Sequence, residues 1–425
     1  MALPLLSFDE ASAMVARCAS RLASQTLGRE RVDLALSAGR VLADPILADS
    51  HQPPFTRSTR DGFACRAAEA STRALLGLAG SVRAGDPPPP PLNSGAACEI
   101  MTGAPVPDGA DAVAMIEHVE VADGRVRLLP PRKLVPGENL VLRGAQAHEG
   151  DELLPAGTQI KAQQIALAAS CGYRFVEVFV RPRVAILTTG DELVPVDVVP
   201  GPGQIRNSNA PMLEALVAGA GGDPWILPTA ADNAASLDRA LEQAVDADLL
   251  IISGGVSAGR FDLVEPALAR LDAKFHFTGV RIQPGKPLVF GELPVHRRND
   301  LQEVHGTKCC CFFGLPGNPI SSAVTFLLFA APVLSALAGN RSPGPRFALA
   351  KLAEDTSHAA KPGLTRFLPA HCTFGSGDGK MARVSQISMQ GSGDVVAFAR
   401  SNCFLVIPDD DANLKKGAIV RILLP

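Results

Sequence analysis

At 425 residues the chain is long enough for two to four domains of the usual ~100–200 residues. Lys+Arg 40 against Asp+Glu 43 leaves a formal charge of −3 and a pI near 6.3, which excludes a broad basic field for nucleic acid or an anionic membrane, so any anion site must be local. With 39 Gly, 35 Pro, one Trp and one Tyr the chain is turn-rich and packs mainly through Phe, yet at 47% hydrophobic it is too apolar for disorder.

In chain order, Ser7 with Glu10 three residues on forms a capping box before an apolar run over 11–22, so the first ~45 residues read as helical. No basic leader precedes it, and signal-peptide character is not evident. Residues 46–139 change character. Short β-type runs at 112–116, 119–121 and 126–129 are broken by Gly, Pro and Asp, and the five prolines 87–91 admit only extended polyproline, predicting a small all-β unit. From Gly150 loop and then helix return, with 158–169 amphipathic enough to pack on the first segment. The β unit is therefore expected as an insertion in a helical domain of residues 1–45 and 140–178.

Residues 179–335 alternate strand and helix: strands at 184–187, 225–228 and 249–252, helices at 209–219 and 236–245. This predicts an α/β domain with a mostly parallel sheet, whose ligand sits beyond the carboxyl ends of the strands. The stretch 319–339 carries no charge and is long enough for a membrane span. It holds Ser321, Ser322, Thr325, Ser335 and Pro332 after a tight Pro-Gly-Asn-Pro turn, which favours a buried core helix and no membrane. Short strands at 347–352, 367–372, 383–387, 403–407 and 418–424 then predict a second all-β domain over 340–425. Nine cysteines without a Cys-x-x-Cys pair, and eight histidines without ligand spacing, argue against a disulfide framework or zinc site and for a cytoplasmic location.

Several loops carry chemistry. Thr188-Thr189-Gly190-Asp191-Glu192 places two carboxylates after a buried strand, as helix caps worth ~0.5 kcal/mol or as ligands. Ser253-Gly254-Gly255-Val256-Ser257 brings small residues and two hydroxyls to the end of another strand, either a tight turn or an anion cradle, with Asp262 on the same edge. No Gly-Lys-Ser or Gly-Lys-Thr follows, so it is not a Walker A loop. Gln283-Pro284-Gly285-Lys286-Pro287 holds a lysine in a proline-stiffened loop, solvated or aimed at an oxyanion. Leu315-Pro316-Gly317-Asn318-Pro319 starts the long helix and puts Ser321 among its unpaired N–H groups.

With Met101-Thr102-Gly103-Ala104-Pro105-Val106-Pro107, Gly109-Ala110-Asp111-Ala112-Val113, Pro136-Gly137-Glu138-Asn139, Gly203-Gln204-Ile205 and Asn207-Ser208-Asn209, these loops form an ordered set over nearly the whole chain. The set resembles the molybdopterin molybdenumtransferase family, which includes the C-terminal domain of gephyrin. The resemblance implies a helical domain with an inserted β domain, a molybdopterin-binding α/β domain and a C-terminal β-barrel-like domain, paired as a homodimer whose cleft joins the α/β part of one subunit to the inserted part of the other. It implies insertion of molybdate into adenylylated molybdopterin with release of AMP and the finished cofactor, assisted by Mg²⁺. Transient contacts with the adenylyltransferase that delivers the pterin and with apo-molybdoenzymes are also implied.

By position, Asp61, Thr102, Glu192, Asp232 and Asp262 resemble the catalytic set, with Asp61, Glu192 and Asp262 as metal carboxylates. Gly190, Ser253, Gly254, Gly255, Ser257, Asn318 and Ser321 resemble the substrate and phosphate loops, and Lys286, Arg366 and Ser392 the molybdate site. Three positions depart from the family pattern: Thr59-Arg60 before Asp61-Gly62, Ala145-Gln146 after Arg143-Gly144, and Gln283 where a lysine is usual. Arg60 is a candidate for the missing charge. The departures leave an alternative, a catalytically weakened paralogue that carries the pterin, and tungstate is an alternative to molybdate.

Overall fold

The computed structural model describes residues 4–23, 28–244, 246–256, 263–294, 309–341, 343–357, 363–373, 381–409 and 413–425. The capping box forms as the sequence predicts: Ser7 N–H and Oγ both donate to Glu10 Oε2 at 2.8 Å, and Glu10 N–H donates to Ser7 Oγ at 3.2 Å. The helix Phe8–Ala23 buries Ala11, Val15, Ala19 and Leu22, a stripe at helical spacing, against Val333, Leu334 and Leu337 of the long helix.

Contrary to the expectation from sequence, helix does not run through the first 45 residues but ends at Ala23. Arg29–Asp33 is a strand paired antiparallel with Phe175–Phe179, and Ile46–Leu47 pairs with Glu152–Leu154. The distant Phe-Val-Glu-Val-Phe run supplies the pleated template, and no local periodicity in 29–33 announces it. The helix Ala162–Ser170 packs beneath this ribbon, its Ala168 sharing a core with Leu34, Leu42, Ile46, Val176 and Val178.

The inserted unit is a six-stranded sheet in the order Ala112–Met115, Gly62–Cys65, Ala96–Ile100, Leu76–Val82, Arg125–Leu128, Val119–Ala122. The chain enters and leaves it side by side, with Gln52 bridged to Ala147 and Arg57–Ser58 paired with Leu140–Val141.

The α/β sheet runs Asp223–Ile226, Arg183–Thr188, Leu249–Ser253, Cys309–Leu315, Val289–Pro294, Lys274–Phe277. The first four strands are mutually parallel and the remaining two join through antiparallel pairings. Its central strands are buried on both faces, as layers of helix on each side require. On one face lies the helix Pro319–Leu337, long and apolar enough by composition to cross a membrane, yet with 89% of its most apolar window buried inside the fold. A π-helical turn at Phe326–Ala330 interrupts it just before Pro332, whose ring cannot donate to the preceding turn. The C-terminal strands Thr365–Thr373, Arg383–Gln386, Phe347–Leu352, Ile419–Leu423 and Cys403–Ile407 close into a barrel, and Ile282–Gln283 of the α/β region pairs with its edge.

Candidate functional site

The carboxyl ends of the parallel strands open into a cleft of about 820 Å³, within the ~300–1,000 Å³ usual for small-molecule sites. Four loops build its wall, and each is held by a side chain that bridges to a neighbour. Asn207 donates from Nδ2 to Thr188 Oγ1 at 2.8 Å and Thr229 Oγ1 at 3.2 Å, while its Oδ1 accepts from Ala210 N–H at 3.1 Å. Asn209 donates from Nδ2 to Ser253 Oγ at 2.8 Å and to the Gly317 carbonyl at 2.6 Å, clasping the third loop to the fourth. Asn207-Ser208-Asn209 stands out in the sequence as a motif, but the clasps its asparagines make do not. The bonds they donate reach partners 19 to 108 residues away, so spacing alone offers no signal.

Asp191 and Asp232 lock the first two loops reciprocally. Asp232 N–H donates to Asp191 Oδ1 at 3.0 Å and Asp191 N–H donates to Asp232 Oδ2 at 3.4 Å. Asp191 is thus a loop tie, while Glu192 and Asp232 both line the cleft and are exposed. Gly190 has φ +148°, and a Cβ there would sit 2.6 Å from Glu192 Oε2, so glycine is what lets the Glu192 carboxylate fold back over the loop.

The Ser253-Gly254-Gly255 turn lines the cleft. Gly254 commits its N–H to the Leu315 carbonyl at 3.1 Å and so is not itself a donor to an anion. Its φ of +99°, and an ideal Cβ only 2.7 Å from the Thr189 carbonyl oxygen, explain the glycine by close packing instead. Asn318 also lines the cleft. Its Nδ2 donates to Ser392 Oγ at 2.9 Å, and the Ser392 carbonyl accepts from Ile320 N–H at 3.1 Å, so the C-terminal domain caps the start of the long helix. Ser321 is buried within the helix and does not reach the wall. Arg206, unremarked in the sequence, supplies a cation to the lining, with its Nε held by the Val198 carbonyl at 3.1 Å.

Lys286 is exposed on a loop whose backbone is pinned, its carbonyl accepting from Val280 and Leu288 N–H, and the adjacent Pro287 lines the cleft. Arg366 is 94% buried and sits in register with Gln283 across the seam between the α/β region and the barrel. Ser257 and Asp262 lie outside the described residues. Asp61 and Thr102 do not line the cleft. They lie together at the edge of the inserted sheet, just before Gly62–Cys65 and just after Ala96–Ile100, where Asp61 Oδ1 accepts from Thr102 N–H at 2.6 Å and Oγ1 at 2.8 Å, bonds that hold the Asp61 carboxyl below its ordinary value.

Among the described residues no group of three or more His, Cys, Asp and Glu could hold a metal by itself. Two cleft carboxylates nevertheless suit a cation such as Mg²⁺, which takes one or two protein carboxylates and completes its shell with water and substrate phosphate.

Three family models cover the chain. Residues 6–172 match the MoeA N-terminal region (domain I and II), 185–336 a probable molybdopterin binding domain, and 350–424 the MoeA C-terminal region (domain IV). A molybdopterin biosynthesis MoeA protein from Pyrococcus horikoshii OT3 shares the architecture with a TM-score of 0.78 at 28% identity, over 99% of this chain and 100% of its own. The molybdopterin molybdenumtransferase of Bacillus subtilis is 35% identical over 93% of this chain and 89% of its own length. That of Nostoc sp. is 34% identical over 99% of this chain and 94% of its own, and on this likeness the chain belongs to the molybdopterin molybdenumtransferase family.

Proposed function

We propose that the protein inserts molybdate into adenylylated molybdopterin, releasing AMP and molybdenum cofactor. The observation that carries this reading is the cleft beyond the parallel strands. It is sized for a nucleotide-linked pterin, walled by carboxylates and by the Gly254-Gly255 turn, and is lined, apart from Gly393 and Val395, by the region matched by a probable molybdopterin binding domain. In this reading the Ser253-Gly254-Gly255 and Asn318 loops bind the substrate, Arg206 offsets phosphate charge, and Lys286, Arg366 and Ser392 receive the molybdate dianion. Glu192 and Asp232 would hold Mg²⁺, with Asp262 as a further candidate ligand. When bound, the cation neutralises phosphate oxygens and eases departure of AMP.

Asp61, placed by its two Thr102 bonds, acts in the same cleft from the inserted domain of a second copy, because within one chain it does not line the wall. The functional unit is then a homodimer in the cytoplasm, and the adenylyltransferase and apo-molybdoenzymes are its transient partners. The alternative, a carrier without transfer chemistry, is less favoured, because relatives at 34–35% identity over nearly the full chain are named transferases.

The test is an AMP-release assay with adenylylated molybdopterin and Mg²⁺, with and without molybdate. Molybdate-dependent release that is lost in Glu192→Ala and Asp61→Ala supports the reading. Pterin binding with no AMP release in the wild type would remove it in favour of the carrier.

A further inference from the structure

Away from the cleft, the N-terminal helix meets the sheet through a cluster of ionisable groups set in an otherwise apolar interface. Cys18 of the helix and Cys311 of the central sheet, 293 residues apart in sequence, bring their sulfurs to 3.9 Å. Glu292, in register with Cys311 on the next strand, has a side chain only 8% exposed. Its Oε1 accepts from Arg21, bonds His276 Nε2 at 2.8 Å and lies 3.7 Å from Cys18 Sγ. Arg21 also places Nη2 3.6 Å from Cys18 Sγ, and its side chain is 52% exposed. Neighbouring positions of the same helix, Ala11, Val15 and Leu22, make the contact with apolar atoms alone, so packing does not require this set.

We propose that Cys18 and Cys311 form an oxidation site at which a hydroperoxide converts the two thiols to a disulfide that staples the N-terminal helix to the α/β sheet. The Cys18 thiolate sulfur attacks one peroxide oxygen, the O–O bond breaks, and Cys18 becomes a sulfenic acid while the departing hydroxide takes up the thiol proton as water. The Cys311 sulfur then attacks the Cys18 sulfur. The S–O bond breaks, the S–S bond forms, and the Cys311 proton leaves with the second water. Two thiols lose two electrons and two protons, and one hydrogen peroxide is reduced to two waters.

The position of Arg21 assigns the order of attack: its guanidinium lies 3.6 Å from Cys18 Sγ and favours a thiolate there, while Cys311 lies deeper, 1% exposed against 7% for Cys18. In keeping with this, the Cys311 contact and the Arg21 guanidinium hold the Cys18 thiol below its ordinary value, and the Cys18 contact and burial push Cys311 above its own. Burial pushes Cys65 and Cys403 up to about 12, and Cys98 and Cys372 also rise, so among the described cysteines with a displaced thiol Cys18 alone moves toward reactivity. The sulfurs need close by only about 1.9 Å to reach the ~2.05 Å bond.

The experiment treats the reduced full chain with hydrogen peroxide and maps tryptic peptides without reduction. The expected product joins the fragment 18–21 to the fragment that begins at Cys309, two hydrogens lighter than its parts, with tandem fragmentation assigning Cys311. It should appear ~10-fold faster than oxidation of Cys65 or Cys403. Arg21→Gln should slow it several-fold, and Cys311→Ser should leave a Cys18 sulfenic acid that dimedone traps. A Cys18 that oxidises no faster than Cys65, or that pairs with Cys310, overturns the proposal. Because the wild-type map decides both, the test stands even where a cysteine variant fails to fold.

Discussion

An exposed carboxylate holds one orientation only if something fixes it, and for Asp61 that is the backbone N–H and hydroxyl of Thr102. Both bonds favour the charged form, so the folded pKa lies below the ordinary value of 3.8 and the charge persists to lower pH. Thr102→Val removes the hydroxyl and raises that pKa toward its ordinary value. We expect ~10-fold slower AMP release and an acid limb of the pH–rate profile shifted to higher pH, as positioning partners of ligating groups typically cost 10–100-fold. An unshifted acid limb would leave Thr102 with no part in holding the charge. The glycines of the cleft answer to a different force. Gly254→Ala would put a methyl group 2.7 Å from the Thr189 carbonyl oxygen at φ +99°, and we expect it to lower stability by about 2–3 kcal/mol in urea titration. Both positions stood out in the sequence, but their reasons did not: the Asp61–Thr102 bond spans 41 residues, and Gly254 is required by the loop it abuts.

At the scale of elements, the long helix shows how far pattern carries. Its uncharged length with Ser, Thr and Pro inside reads as a core helix, and the fold buries it. The π-helical turn at Phe326–Ala330 has no periodic signature, because it arises where Pro332 withholds a donor while packing keeps the chain helical. Phe329 lies fully buried in that turn, edge-on to Phe8 at 6.1 Å and near Phe277 at 6.3 Å, so it joins the helix, the N-terminal helix and the sheet. Phe329→Ala should cost about 3–5 kcal/mol, read as a fall in urea midpoint at unchanged slope. A loss under 1 kcal/mol would mean that the junction collapses to refill the space. The strand Arg29–Asp33 is the opposite case. Its exposed, charged residues carry no strand pattern, and its existence is decided by Phe175–Phe179 beside it.

For the whole molecule, the separation of Asp61 from the Glu192 cleft is the feature with the sharpest consequence. If two copies share each site, mixing inactive Asp61→Ala and Glu192→Ala subunits by co-expression should restore about a quarter of wild-type AMP release. Half of randomly paired dimers are mixed, and each carries one intact site. No recovery would place Asp61 and Glu192 in the same subunit's site or remove Asp61 from catalysis. The near-neutral charge total is compatible with a local charged site, since Glu192, Asp232 and Arg206 line one cleft. The sequence by itself determined the alternation of strand and helix, the end of the sheet where the cleft opens, and the family, because hydrophobic period, turn chemistry and ordered motifs are local properties. Only the tertiary structure decided which loops touch, that Asn207 and Asn209 clasp them, that Gly254 spends its N–H on Leu315, and that Cys18 faces Cys311. Those facts depend on contacts between residues far apart in the chain, which local pattern does not encode.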